Sequence, residues 1–185
     1  MKSILIYLLI IFCFCILTLK SQNEGNENKE VKTVEHVELK KYAGKWYEIS
    51  KIPNSFQKNC KYGTTANYTL NDDGDIEVVN KCFEEDGELN DAEGLAEVVD
   101  TISNAKLRVS FVSIFGIHLF WGDYWIIGID ENYQYAVVGT PNRKYGWILS
   151  RTPKLSEEKL NETFNILKDN GYDPGDFELT DQKMN

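Results

Sequence analysis

The side chains best suited to chemistry in the body of this sequence are two cysteines, Cys60 and Cys82, and two histidines, His36 and His118. Nucleophilic catalysis needs a thiol or hydroxyl beside a base that can take its proton. Neither histidine supplies that base. His36 lies in a polar leading stretch and His118 in an apolar one, and neither is near a serine or carboxylate in a recognisable catalytic arrangement. A single loop histidine is an equally weak basis for haem. The acidic run NDDGDIE (71–77) invites calcium, but Gly74 comes too early for a calcium-binding loop, so the run reads as a turn. No catalytic residue, metal ligand or cofactor is assigned.

The cysteines have a simpler use. Residues 1–21 read as an export signal: Lys2, the sixteen-residue run ILIYLLIIFCFCILTL, then Lys20. A cleaved signal peptide is preferred to an uncleaved anchor, because a spanning helix needs ~20 apolar residues. Lipid attachment at Cys13 or Cys15 is a minority reading, since neither follows the small residue that such a site shows. Residues 22–37 are polar and charged and read as a flexible tether. An exported domain then keeps two cysteines, Cys60 and Cys82. One disulfide is the simplest use of them, with a free reactive pair as the alternative.

The formal net charge is −9, and becomes −11 once Lys2 and Lys20 leave with the signal. That balance excludes nucleic acid as a partner, because phosphate binding needs a basic footprint. NYT at Asn67 and NET at Asn161 fit the glycosylation sequon, which has meaning only in a eukaryotic host.

The elements that would position any site are mostly strands. β-rich runs fall near 46–52, 60–71, 75–83, 93–100, 105–113, 123–130, 134–140 and 145–152, with turns at NDDG, EDGE, DENY and PNRK. Eight antiparallel strands in succession, without long crossovers, predict an all-β, up-and-down barrel; a sandwich is the alternative. One amphipathic helix follows, with Ser156 as N-cap, Leu160, Phe164 and Leu167 on one face and Gly171 at its end. It should pack outside the barrel, and DFELT (176–180) could add a last short strand.

Alternation assigns the faces. With Arg108, Glu97, Glu77 and Asn67 outside, Leu107, Val109, Phe111, Ala96, Val98, Val78, Asn80, Thr64, Ala66, Tyr68 and Leu70 point inward. An eight-stranded barrel is just wide enough for one small ligand. This mostly apolar interior suits a lipophile, although a filled core would show the same parity. Cys60 and Cys82 share the inward parity on neighbouring strands, off register by a residue or two that a bulge could absorb.

These residues carry a specific resemblance. YAGKWYEISKIP (42–53) contains the Gly-x-Trp signature of the lipocalin family in Gly44 and Trp46. IGIDENY (127–133) resembles the second family motif through Asp130 and Tyr133, and WILSRTP (147–153) the third through Arg151. KWYEI, ANYTL, VVN, EG (93–94) and WILSRTP are most similar to the bacterial lipocalin and apolipoprotein D branch. The resemblance implies a lipocalin domain over 38–182, a barrel floor closed by Trp46 and a structural Arg151 lying across its ring.

The resemblance also implies ligand contacts at Tyr68, Asn80, Tyr124 and Trp147, each of which ordinary packing would explain as well. A few lipocalins use a cysteine inside the barrel as a nucleophile, which keeps an enzyme reading open at Cys60 or Cys82. In lipocalin topology SIFGIHLFWGDYW (113–125) joins the fifth and sixth strands at the open end. Ile114, Phe115, Ile117, Leu119, Phe120 and Trp121 would then stand at the ligand entrance as a membrane-docking loop, with a lid or a homodimer contact as alternatives. The expected function is a non-enzymatic, exported carrier of a fatty acid, lysophospholipid or similar lipophile. It would be secreted or periplasmic, or attached to the outer membrane in a bacterium. A haem- or pigment-binding lipocalin is the other alternative.

Overall fold

The computed structural model describes residues 30–183. The proposed export signal and residues 22–29 lie outside them. A four-residue helix α1 (Leu39–Tyr42) leads into strands β1 (Gly44–Lys51), β2 (Tyr62–Leu70), β3 (Ile76–Phe83), β4 (Leu89–Val98) and β5 (Lys106–Ser110). A ribbon of β6 (Val112–Ile114) and β7 (Ile117–Leu119) comes next, then β8 (Gly122–Ile129), β9 (Tyr135–Gly139), β10 (Gly146–Ser150), helix α2 (Glu157–Asp169) and β11 (Glu178–Leu179). Strands β1 to β5 and β8 to β10 pair antiparallel in sequence, and β10 returns to β1, closing the eight-stranded barrel.

Alternation places the side chains as expected. Along β2, Thr64, Ala66 and Tyr68 are buried while Asn67 and Thr69 are exposed. The interior cluster joins Trp46, Ala66, Tyr68, Val78, Ala96, Leu107 and Ile126. A second apolar layer lies outside, where Leu160, Phe164, Ile166 and Leu167 of α2 cover Ile127, Tyr135, Val137 and Ile148. Ser156 caps this helix by accepting the Lys159 N–H. The helix can approach so closely because Gly128 carries no side chain: a Cβ there would lie 2.8 Å from Ile166 Cγ2.

Two expectations need correction. Residues 31–37, read as part of a flexible tether, form a strap bonded to the barrel. Val31 and Val37 are buried, and the N–H groups of Lys32, Val34 and Val37 donate to Asn170 Oδ1, the Ile126 carbonyl and the Ser103 carbonyl. Its polar composition conceals three spaced valines that supply apolar contact where backbone acceptors are free. The second correction concerns the apolar loop. It contains the β6–β7 ribbon, turned by Phe115 and Gly116, both at positive φ, the geometry of a tight two-residue hairpin turn.

The DFELT segment does add a strand, and its position matters. Strand β1 pairs with β2 only from Gly44 to Tyr47; above that level β11 occupies the same edge, opposite Ser50 and Lys51. Asp181 bridges to Tyr62, and Gln182 donates to the carbonyls of Glu48 and Thr64. The C-terminal segment thus completes the wall where β1 and β2 part.

Candidate ligand cavity

The closed end is built from the three motifs. Trp46 is fully buried, and its indole N–H donates to the Tyr42 carbonyl at 2.8 Å. The Arg151 guanidinium lies 3.7 Å from the Trp46 ring centroid and donates to the carbonyls of Lys41, Tyr42, Ala43, Lys45 and Tyr133. Gly44, beside this pair, has a φ of +94°, a backbone conformation that L side chains rarely adopt. Asp130 and Tyr133 belong to the adjoining corner, where the Asp130 carboxylate accepts from the N–H groups of Asn132 and Gln134 and the Tyr133 hydroxyl accepts from the Glu38 N–H. Partial burial lowers the Arg151 pKa from its ordinary value.

A tyrosine layer lies above this floor. Tyr124 hydrogen-bonds through its hydroxyl to Tyr42 at 2.6 Å and to Tyr68 at 2.9 Å. Burial raises all three phenols, Tyr68 to about 12 and the other two well above their usual value. Beneath them remains a void of about 20 Å³, room for roughly one water. The layer therefore sets the depth of the cup.

Above it opens a cavity of about 400 Å³, within the range of small-molecule sites. Tyr68, Asn80, Tyr124 and Trp147 all line it, so the structure brings the four sequence-predicted positions together. Sequence reasoning missed Glu48, Phe56, Gln57 and Tyr145, which line the same space. Glu48 is 3% exposed. Its Oε1 accepts from Lys51 Nζ at 2.8 Å and Thr180 Oγ1 at 2.6 Å, and its Oε2 accepts from Gln57 Nε2 at 2.7 Å. Gln57 Oε1 in turn accepts the Trp147 indole N–H at 3.1 Å. Alternation from Trp46 would have found Glu48. Phe56 and Gln57 lie in a 3-10 turn, Ser55–Gln57, that has no periodic signal.

Cys60 and Cys82 form the expected disulfide, with Cα atoms 5.4 Å apart. The register between β2 and β3 shifts between Tyr62 and Thr65, which absorbs the offset in the count. Joined in this way, neither sulfur offers the thiol that a cysteine-based reaction needs. His118 does not line the cavity; its ring lies 5.9 Å from that of Trp121 on the ribbon side.

The ribbon stands at the rim, where Val112 and Phe120 reach the cavity. Val112, Ile114, Ile117 and Leu119 share one face of it, opposite Ser113 and His118. Phe115 at the tip is 100% exposed and Phe120 83%. Leu119 and Trp121 are half-buried, and the Arg108 guanidinium lies 4.6 Å from the Trp121 ring centroid. The exposed apolar surface is thus narrower than the six residues named from sequence.

Comparison with known proteins agrees with this architecture. Residues 37–182 match a family described as "Lipocalin-like domain". The chain is 40% identical to outer membrane lipoprotein Blc of Vibrio cholerae over 78% of its own length and 82% of the relative's. It is 39% identical to apolipoprotein D of Mus musculus, covering 80% and 78% of the two chains. Insecticyanin from the tobacco hornworm Manduca sexta superimposes with a TM-score of 0.68 at 24% identity, over 83% of this chain and 85% of that one. With the floor motif, the closed barrel and the family match in agreement, the chain belongs to the lipocalin family.

Proposed function

We propose that the protein is an exported carrier that holds one elongated lipophile, of the fatty acid or lysophospholipid type, in the barrel cavity. The observation that carries this reading is the cavity of about 400 Å³ above the tyrosine layer, with apolar and aromatic side chains leading to its mouth. Tyr68, Asn80, Tyr124 and Trp147 are the contacts we assign to the ligand. The similarity to a bacterial outer membrane lipoprotein supports a place outside the cytoplasm.

The apolar ribbon at the rim supports transient contact with a membrane surface from which the ligand is taken or to which it is returned. Phe115 and Phe120 would enter the interface. The net charge of −11 expected once Lys2 and Lys20 leave with the signal means that insertion, rather than attraction to anionic lipid, supplies the contact. Lipid extraction and mass spectrometry of gently purified protein test the carrier reading. A stoichiometric lipophile is expected, and protein that neither retains nor takes up any lipophile would contradict it.

A further inference from the structure

Three aromatic rings meet at the cavity mouth. Phe56 lies 5.3 Å from Tyr145 and 6.3 Å from Trp147, and the Tyr145 and Trp147 rings lie side by side at 6.2 Å with planes 20° apart. All three line the cavity, and Phe56 is left largely exposed. Tyr145 and Trp147 form a platform because they are two residues apart and so project on the same side of the chain. Phe56, delivered by the 3-10 turn, forms the third side.

The charge around this corner is mixed, because the buried Glu48 carboxylate is paired with Lys51 Nζ at 2.8 Å. Trp147 donates its indole N–H to Gln57, and Gln57 donates to the buried Glu48 carboxylate. A hydrogen-bond chain ending at an anion polarises its members, making the indole face more negative. Of the charged residues that line the cavity, Glu48 and Asp123 are acidic and Lys81 is basic. An aromatic corner of this kind favours a weakly hydrated cation over its ring faces. A bare carboxylate placed there would face the electron-rich faces of the three rings.

Building on the carrier reading, we infer that Phe56, Tyr145 and Trp147 form a head-group subsite for a quaternary ammonium, selecting choline-type lipophiles over free fatty acids. The alkyl tail would run down to the Tyr68–Tyr124 layer. Glu48 and Gln57 act through Trp147 as positioning residues.

The test compares three probes with one tail length: dodecyltrimethylammonium, dodecanol and dodecanoate, each below its micelle concentration. Binding is measured calorimetrically in about 0.3 M salt, where charges more than ~6 Å apart are screened. The ammonium probe should bind about tenfold tighter than dodecanol, and dodecanoate weakest. Phe56→Leu and Tyr145→Leu should each reduce the ratio of ammonium to alcohol affinity to about twofold or less while near-ultraviolet circular dichroism stays native. Glu48→Gln should reduce it partially. Equal binding of all three probes, or a ratio unchanged in folded variants, overturns the head-group subsite and leaves the carrier reading standing. Binding of none of them overturns both.

Discussion

Arg151 covers Trp46: its guanidinium stands 3.7 Å from the ring centroid while it donates to five backbone carbonyls around the barrel floor. The pair joins the end of β10 to the start of β1, the seam at which the barrel closes. Arg151→Ala removes a cation over an indole face and the guanidinium donors of those carbonyls, of which Tyr42 keeps the Trp46 indole N–H. A loss of about 2–4 kcal/mol is expected in denaturant titration. Lipophile selectivity should be unchanged, because the tyrosine layer separates the pair from the cavity. A change of selectivity without a loss of stability would contradict this assignment.

The tyrosine layer predicts an alkaline limit. An unfolded phenol titrates near 10.0, whereas Tyr68 in the fold is pushed up to about 12 by burial, with Tyr42 and Tyr124 raised well above the usual value. Below pH 10 both folded and unfolded chains keep these protons, and the layer adds no pH dependence. Above it the unfolded chain releases protons that the fold retains, so stability should fall as pH rises from 10 to about 12. Phenolate absorbance followed alongside circular dichroism checks this. The three phenols of the layer should ionise late, as should Tyr135 and Tyr172, which burial also raises, and substituting Tyr124→Phe should reduce the late fraction.

The rim ribbon gives a third expectation. Phe115→Ser with Phe120→Ser should abolish sedimentation with neutral phosphatidylcholine vesicles, and anionic lipid should not strengthen binding of the unaltered protein. Trp121 is a poor choice for this test, because it packs against Arg108. Equal sedimentation of both proteins would remove the ribbon as a membrane contact. Loss of a dimer in the variant would assign it to self-association.

Much of this was legible in the chain because strands announce themselves by alternation and by the polar turns between them. Once the charge of Arg108 and the sequon at Asn67 set the outward face, parity put Leu107 and Tyr68 inside, where they are buried. What parity cannot register is a side chain delivered by an irregular turn, which is how Phe56 and Gln57 reach the cavity. The ribbon was hidden for another reason. Its turn places Phe115 at a φ of 52°, a conformation that a phenylalanine does not advertise. The strap at 31–37 was hidden because its valines are too sparse to outweigh its charges.

The most direct measurement of the central claim is native mass spectrometry with a monoacyl phospholipid, comparing the unaltered protein with Asn80→Trp. Asn80 is half-buried on the cavity wall, so an indole there fills the cup without disturbing the floor. The unaltered protein should carry one lipid per chain, with its tryptophan fluorescence quenched in step. The folded Asn80→Trp protein should carry none or bind at least about tenfold more weakly. Undiminished binding in the filled variant would place the lipid elsewhere and contradict the account.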